Sequence, residues 1–218
     1  MAYVNSQEVI YPEKFHQTYR DSKERNIVMA ASRVFMESGF DNASMDDIAM
    51  RANVSKRTIY NRYASKQDVF DVAISHACKE FSRLSLKVCY KTPVEEFLEN
   101  IGYQILEHRT RPDVLALQRL VLFQSSNMPG IGQMYYNESL APIISFIEDY
   151  FEQISALGHV IVTNINEAAW DYFNLIRGPL EGNLLQELKS GANIGDVLRK
   201  YSATGTKKFL HLYKPSSA

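Results

Sequence analysis

Between Ser55 and Tyr63 the chain crowds Lys56, Arg57, Thr58, Tyr60 and Asn61 into one short polar stretch. Their shared chemistry is hydrogen bonding, without any making or breaking of covalent bonds. Lys56 and Arg57 are donors suited to guanine O6 and N7 or to phosphate, and Asn61 is suited to adenine. Thr58 donates to phosphate or packs on a thymine methyl, and the Tyr60 hydroxyl reaches phosphate. Ser44 and Lys66 flank the stretch at helix starts, where backbone N–H groups attract phosphate. No glycine-rich phosphate loop, nucleophile elbow or zincin motif competes with this reading. The five histidines, His16, His76, His108, His159 and His211, do not cluster, and no spacing points to a metal site. The sequence therefore offers no catalytic residue, no metal and no cofactor.

Such side chains act only if rigid elements aim them. Ile59 and Tyr63 form the inward stripe of a short helix over Ser55–Tyr63, with Ser55 as its N-cap. Upstream, Met45, Ile48, Ala49 and Ala52 recur at i, i+3, i+4 and i+7, the apolar face of a two-turn helix. Ser44 caps it, and Asp46 and Asp47 complement its dipole. Asn53 lies between the two and tolerates the left-handed conformation that a tight interhelical turn demands. A longer helix carrying Ile27, Ala31, Val34 and Phe35 comes first, closed by Gly39 and followed by the turn Asp41-Asn42-Ala43. Ser65 then caps a long helix with Val69, Ala73, Ala77, Phe81 and Leu84. A tight turn between two short helices, behind a longer one, is the plan of a helix-turn-helix, whose second helix enters the major groove.

Helical periodicity continues to the end, and no alternating strand pattern interrupts it. Thr92-Pro93 and Arg111-Pro112 open helices, since proline is welcome in a first turn. Val114–Phe123 is apolar nearly all round and is expected to be central and buried. Asn127-Met128-Pro129-Gly130 is a loop. Gln133–Leu157 is helical with Pro142 as a boundary or kink, Gly158–Asn166 connects to Glu167–Lys189, and Gly191–Gly195 leads to a last helix ending near Tyr213. The expected fold is all-α: a flexible arm over residues 1–19, a three-helix helix-turn-helix DNA-binding domain over 20–66, and an antiparallel helical-bundle domain for ligand binding and dimerisation over 67–218.

Charge is distributed to match. The chain of 218 residues has a formal net charge of −1, so it is no general polyanion binder. Between Arg20 and Lys66, however, nine Lys and Arg face six Asp and Glu, a local excess of +3. The two cysteines, Cys78 and Cys89, stand roughly 16 Å apart if one helix carries both, too far for a disulfide. They fit a reducing compartment. Residues 1–20 lack the apolar run of a signal peptide, and no stretch is apolar enough to span a membrane. A cytoplasmic protein, on the nucleoid when bound to DNA, is expected.

The segment from Ser44 through Met45-Asp46-Asp47-Ile48-Ala49, Ala52-Asn53-Val54-Ser55-Lys56-Arg57-Thr58-Ile59-Tyr60 and Tyr63 to Ser65-Lys66 resembles the reader of the TetR family of bacterial regulators. The resemblance spans roughly Glu24 to Phe70. Asn53 stands where the family's turn usually has glycine, and Arg57 where a small glycine is common, which adds a side chain to the reading helix. Phe123–Gly132 and Arg177-Gly178-Pro179-Leu180 resemble a common C-terminal variety of the same family.

That resemblance implies an all-α homodimer that binds double-stranded DNA at a palindromic operator. It also implies a C-terminal body that holds a small-molecule cavity and dimerises through its last two long helices. Ligand binding would alter the separation of the two readers and release DNA, making the protein a repressor. Transmission is expected along the helix from Ser65 to about Tyr90. The body is rich in aromatic residues, and Tyr103, Phe123, Trp170 and Phe173 are the candidates to line a cavity for a small hydrophobic or aromatic effector. Pro179 should break its helix, and Gly178 would admit a partner helix closely, so Gly178, Leu180 and Leu184 are candidates for the dimer interface. Two other readings stay open: an activator or protein-partner-controlled regulator with the same reader, and an enzyme with a helical active site.

Overall fold

The computed structural model describes residues 21–81, 84, 86, 92–128, 130–178, 180 and 193–214. The arm over 1–19, Cys89, Tyr90, Pro179 and Leu184 lie outside them, as does most of the expected helical run from 179 to 189. The elements are α1 (Ser22–Asn42), α2 (Met45–Ala52), α3 (Lys56–Tyr60), α4 (Lys66–Phe81), α5 (Val94–Arg109), α6 (Pro112–Gln124), α7 (Ile131–Tyr135), a π-helix (Tyr136–Leu140), α8 (Ala141–Ala156), α9 (Ile165–Arg177) and α10 (Ile194–Leu212). No strand occurs among the described residues, and no helix there is long and apolar enough to cross a membrane. The fold is all-α, with an N-terminal helix-turn-helix and a helical C-terminal part.

Helices α1–α4, α6, α7 and the π-helix make one compact unit; α5, α8, α9 and α10 make another. The first unit is built on a single core. Ile27, Ala31 and Phe35 of α1, Ile48 of α2, Ile59 of α3 and Ala73 of α4 are all essentially inaccessible to solvent, and Leu117 of α6 joins them. Under α1 and α4, the Phe70 ring meets Phe35 and Phe40 edge-on at 4.9 and 5.0 Å. Cys78 is buried here, and burial pushes its thiol up to about 12, so it is an inert packing group at neutral pH.

Two expectations change. The helix Val114–Phe123 is buried on one face only: Val114, Leu117, Leu120 and Val121 point inward, but Leu122 and Phe123 are 66% and 69% exposed. Composition could not show this, because a run of apolar residues has no polar face to mark its outer side. Second, Gly39 interrupts α1 with φ 75°, as expected, but Asp41 and Asn42 after it are helical where a simple turn was expected.

The second unit is packed unusually close. A Cβ on Gly205 of α10 would lie 2.5 Å from the Cα and 2.6 Å from the backbone N of Ile176. A Cβ on Gly102 of α5 would lie 2.3 Å from Ser202 Oγ and 2.8 Å from the Tyr172 hydroxyl. These contacts let side chains reach across to neighbouring backbones. Tyr172 donates to the Leu98 carbonyl and Ser202 to the Glu99 carbonyl, both at 2.6 Å. Burial drives the Tyr172 hydroxyl well above the ordinary tyrosine range, so it stays a donor. Around it Phe151 stacks on Phe209 at 4.6 Å, and Phe97 lies 4.2 Å from Tyr150.

One carboxylate fastens the start of α1 to the end of the helix-turn-helix. Asp21 Oδ1 accepts the Glu24 N–H at 2.8 Å as N-cap, while Asp21 Oδ2 accepts from Arg62 Nη2 at 2.5 Å. The backbone bond to Glu24, then the Arg62 guanidinium, hold the Asp21 carboxyl below its ordinary value.

Two outcomes follow from this packing. Gly205→Ala should destabilise the protein by about 1–3 kcal/mol, because the added methyl meets rigid backbone; thermal and urea melting measure it, and an unchanged midpoint would refute the close approach. For Asp21, a carboxylate whose folded pKa is depressed contributes stability above its unfolded pKa and loses it as pH falls through the folded value. The stability advantage of wild type over Asp21→Asn should therefore be full at neutral pH and shrink below about pH 3.9, measured as the difference in melting temperature across a pH series.

Candidate nucleic-acid interface

The reader is assembled from local signals that all agree. Ser44 Oγ accepts the Asp47 N–H at 3.0 Å and starts α2. Asn53 ends it in the left-handed region with φ 52° and ψ 49°, and is the only non-glycine residue with positive φ among the described residues. The Asn53 N–H closes onto the Met50 carbonyl at 3.2 Å, and Val54 N–H onto Ala49 at 3.0 Å. Two residues later Ser55 Oγ accepts the Thr58 N–H at 3.1 Å and starts α3. Ser65 and Asp68 then cap each other reciprocally, each side chain accepting the other's N–H, at 3.0 and 3.1 Å.

Burial fixes which way α3 faces. Ile59 is wholly buried and Tyr63 is 8% exposed. The opposite side carries Lys56, Arg57, Tyr60 and Asn61, all exposed, with Thr58 half-buried. The structure thus brings Ser55, Lys56, Arg57, Thr58, Tyr60 and Asn61 together on one short helix and its caps. It is shorter than the expected Ser55–Tyr63, because Asn61 and Arg62 already form a turn that bonds back to Arg57 and Ile59.

The polar atoms are not equally available. Ser55 Oγ sits 2.7 Å from Thr58 Oγ1, so one of the two hydroxyls donates to the other. Lys56 Nζ donates to Asp46 Oδ2 at 2.8 Å, and that bond raises the pKa of the ammonium. Lys66 Nζ donates to the Asp41 carbonyl at 3.2 Å and lies 4.8 Å over the Phe40 ring, bracing the end of α1. Arg51 pairs with Glu37 at 2.7 Å. Arg57 has no carboxylate partner among the described residues. Nothing in its local sequence marks Arg62 for a special role. Its pairing with Asp21 had half a signal, since Asp21 is a recognisable N-cap type, but no local rule links positions 41 residues apart.

The expected pocket residues are not all together. Trp170 and Phe173 pack edge-on in α9 at 5.8 Å, with the Arg109 guanidinium 5.7 Å over the Phe173 ring. Tyr103, on α5, donates to Glu107 at 2.6 Å and lies under the Arg199 guanidinium at 4.2 Å. Phe123 belongs to the other unit and is exposed. A cavity of about 340 Å³ opens instead in the first unit, lined by Gln67, Asp71, Met128, Ile131 and Met134 and by none of those four aromatics. Gly178 ends α9 with φ 46°, and Leu180 is 5% exposed. Among the described residues no three His, Cys, Asp or Glu gather as a metal site.

Known proteins share this plan. Residues 27–73 match the family model described as bacterial regulatory proteins, tetR family, and residues 96–214 match the C-terminal domain of AefR-like transcriptional repressors. Among curated relatives, the HTH-type transcriptional activator FasR of Mycolicibacterium smegmatis is 41% identical over 51 residues, 23% of each chain. The HTH-type regulator YhgD of Bacillus subtilis is 30% identical over 88 residues, 40% of this chain and 46% of that one. The chain thus spans under half the length of these curated relatives. Among solved structures, the flavonoid-responsive regulator FrrA superposes with a TM-score of 0.74 at 26% identity, over 89% of this chain and 98% of that one. A TetR-family regulator from Mesorhizobium loti superposes at 0.69 with 22% identity, over 91% and 100%. With both its reader and more than half its length accounted for in this way, the chain belongs to the TetR family, DNA-binding transcriptional regulators rather than enzymes.

Proposed function

We propose that the protein is a dimeric repressor that binds a palindromic operator and leaves it when a small hydrophobic or aromatic molecule binds. The observation that carries the DNA-reading part is the division of α3: Ile59 is fully buried while Arg57, Tyr60 and Asn61 face solvent together. In this reading Arg57 and Asn61 meet base edges, Lys56 and Thr58 meet base edges or phosphate, and Tyr60 and the cap hydroxyls of Ser44 and Ser55 meet phosphate. Lys66 reaches phosphate from the start of α4. Residues 20–66 serve as the DNA-binding domain and 67–218 as the ligand-binding and dimerisation domain, with residues 1–19 as an arm. A two-fold dimer, paired through the region of Gly178, Leu180 and Leu184, presents its two readers about 34–36 Å apart, one turn of DNA. The protein works in the cytoplasm, on the nucleoid when bound.

Repression is favoured by the AefR-like C-terminal match, and an aromatic effector by the likeness to a regulator named for its response to flavonoids. Trp170, Phe173 and Tyr103 are the proposed aromatic contacts, with Phe123 as a further, solvent-facing one. An effector that moves the population from 1:99 to 99:1 must prefer one conformation by about 5.5 kcal/mol. The element proposed to pass that preference to α3 is α4, which packs on α1 and also on α6, α7 and the π-helix. A second reading, an activator with the same reader, is favoured by the match to FasR, which is named an activator.

Selection of bound duplexes from a random pool at physiological salt tests the core of this proposal. One palindrome should be enriched. Arg57→Ala should weaken binding to it by about 1–3 kcal/mol and relax preference at one position of each half-site. Tyr60→Ala should weaken binding to all sequences alike. A folded protein that enriches nothing would refute the proposal.

A further inference from the structure

Asp46 stands in the first turn of α2, and Lys56 is the first residue of α3. The Asn53 turn folds these two helix starts together, and Lys56 Nζ reaches Asp46 Oδ2 at 2.8 Å. Neither partner is free to drift. Met45 and Ile48, on either side of Asp46, are 6% and 0% exposed and fix its place on α2. Lys56 is fixed by the Ser55 cap behind it and by Ile59 three residues ahead. Yet the side chains themselves are open to solvent, 73% for Asp46 and 47% for Lys56. A pair that exposed contributes little to stability, but a phosphate can take Lys56 only by leaving the Asp46 carboxylate unpaired beside the DNA backbone. Asp46 thus puts a negative charge on the side of the reader that carries the cations for DNA. Its service to the α2 dipole is duplicated by its neighbour Asp47.

We propose that Asp46 is a specificity-determining residue of the DNA reader: its carboxylate holds Lys56 back from phosphates in general. The inference rests on the reading that α3 enters the major groove. Non-specific binding is wholly electrostatic, a count of phosphates met by cations. A lysine already paired with a carboxylate drops out of that count unless phosphate displaces the carboxylate, and the displaced carboxylate then repels the backbone. At a matching site, base contacts by Arg57 and Asn61 bring α3 deep enough for Lys56 to use its remaining N–H donors on a base edge while keeping Asp46. The pair therefore lowers affinity for random DNA more than affinity for the operator. Arg57 has no such partner among the described residues.

The test measures the affinity of the full-length protein for a short duplex of arbitrary sequence between 50 and 200 mM salt. Asp46→Asn should bind several-fold more tightly at the low end and show a log–log salt slope steeper by about 0.9, the value of one added phosphate contact. Asp46→Glu, which keeps the charge within reach, should return the wild-type slope. Asp46→Asn with Lys56→Gln should lose the gain. On a palindrome selected from a random pool, Asp46→Asn should show a reduced ratio of specific to non-specific affinity. An unchanged slope in Asp46→Asn overturns the proposal, as does a gain that survives Lys56→Gln. A wild-type protein with no salt-dependent affinity for the duplex would instead overturn the DNA-reading assignment itself.

Discussion

The reading helix is held to the protein by one fully buried side chain. Ile59 is the only residue of α3 in the core, and a five-residue helix is far too short to persist by itself. Its burial in the core shared with α1, α2 and α4 sets the rotation of α3, and that rotation decides which side chains meet solvent. The remaining supports serve this one contact. The left-handed Asn53 brings the chain round, Ser55 starts the helix, and Asp21 secures the turn behind it through Arg62. Large polar side chains can then cover the outer face without costing stability, because none of them is needed inside.

The second unit solves the opposite problem. Its helices have length enough to bury whole faces, and it gains rigidity from close approach. Gly102 and Gly205 bring backbones so near that Tyr172 and Ser202 bond directly to main-chain carbonyls of α5. Packing of this kind has few intermediate arrangements, since small shifts meet hard contacts at once. A unit so constructed resists gradual deformation.

The electrostatics of the reader show restraint. Lys56, Arg51 and Arg62 each pair with a carboxylate contributed by another part of the helix-turn-helix, and Lys66 is engaged by a carbonyl and an aromatic face. The nine cations of this segment are therefore not all bare, and the net excess of +3 is what stays after these carboxylates are counted. A regulator must leave most of the genome quickly, and a reader whose cations are partly compensated does so more readily than one whose cations are bare.

Much of the reader was legible in the sequence because it is written in rules that act over three or four residues. Ser44, Ser55 and Ser65 cap the helices they precede, Asn53 takes the left-handed turn, and Ile59 and Tyr63 face inward. Each depends on backbone geometry and periodicity, which a short window already contains. The sequence also carried enough of that pattern to place the chain in its family. Tertiary structure alone decided the outward turn of Leu122 and Phe123, the Asp21–Arg62 and Asp46–Lys56 pairs, and the approach of Gly205 to Ile176. These depend on which surfaces the fold brings within a few ångströms of each other. Residues far apart in the chain have no local preference that encodes such a meeting; only the packed core, by fixing where each helix lies, determines it.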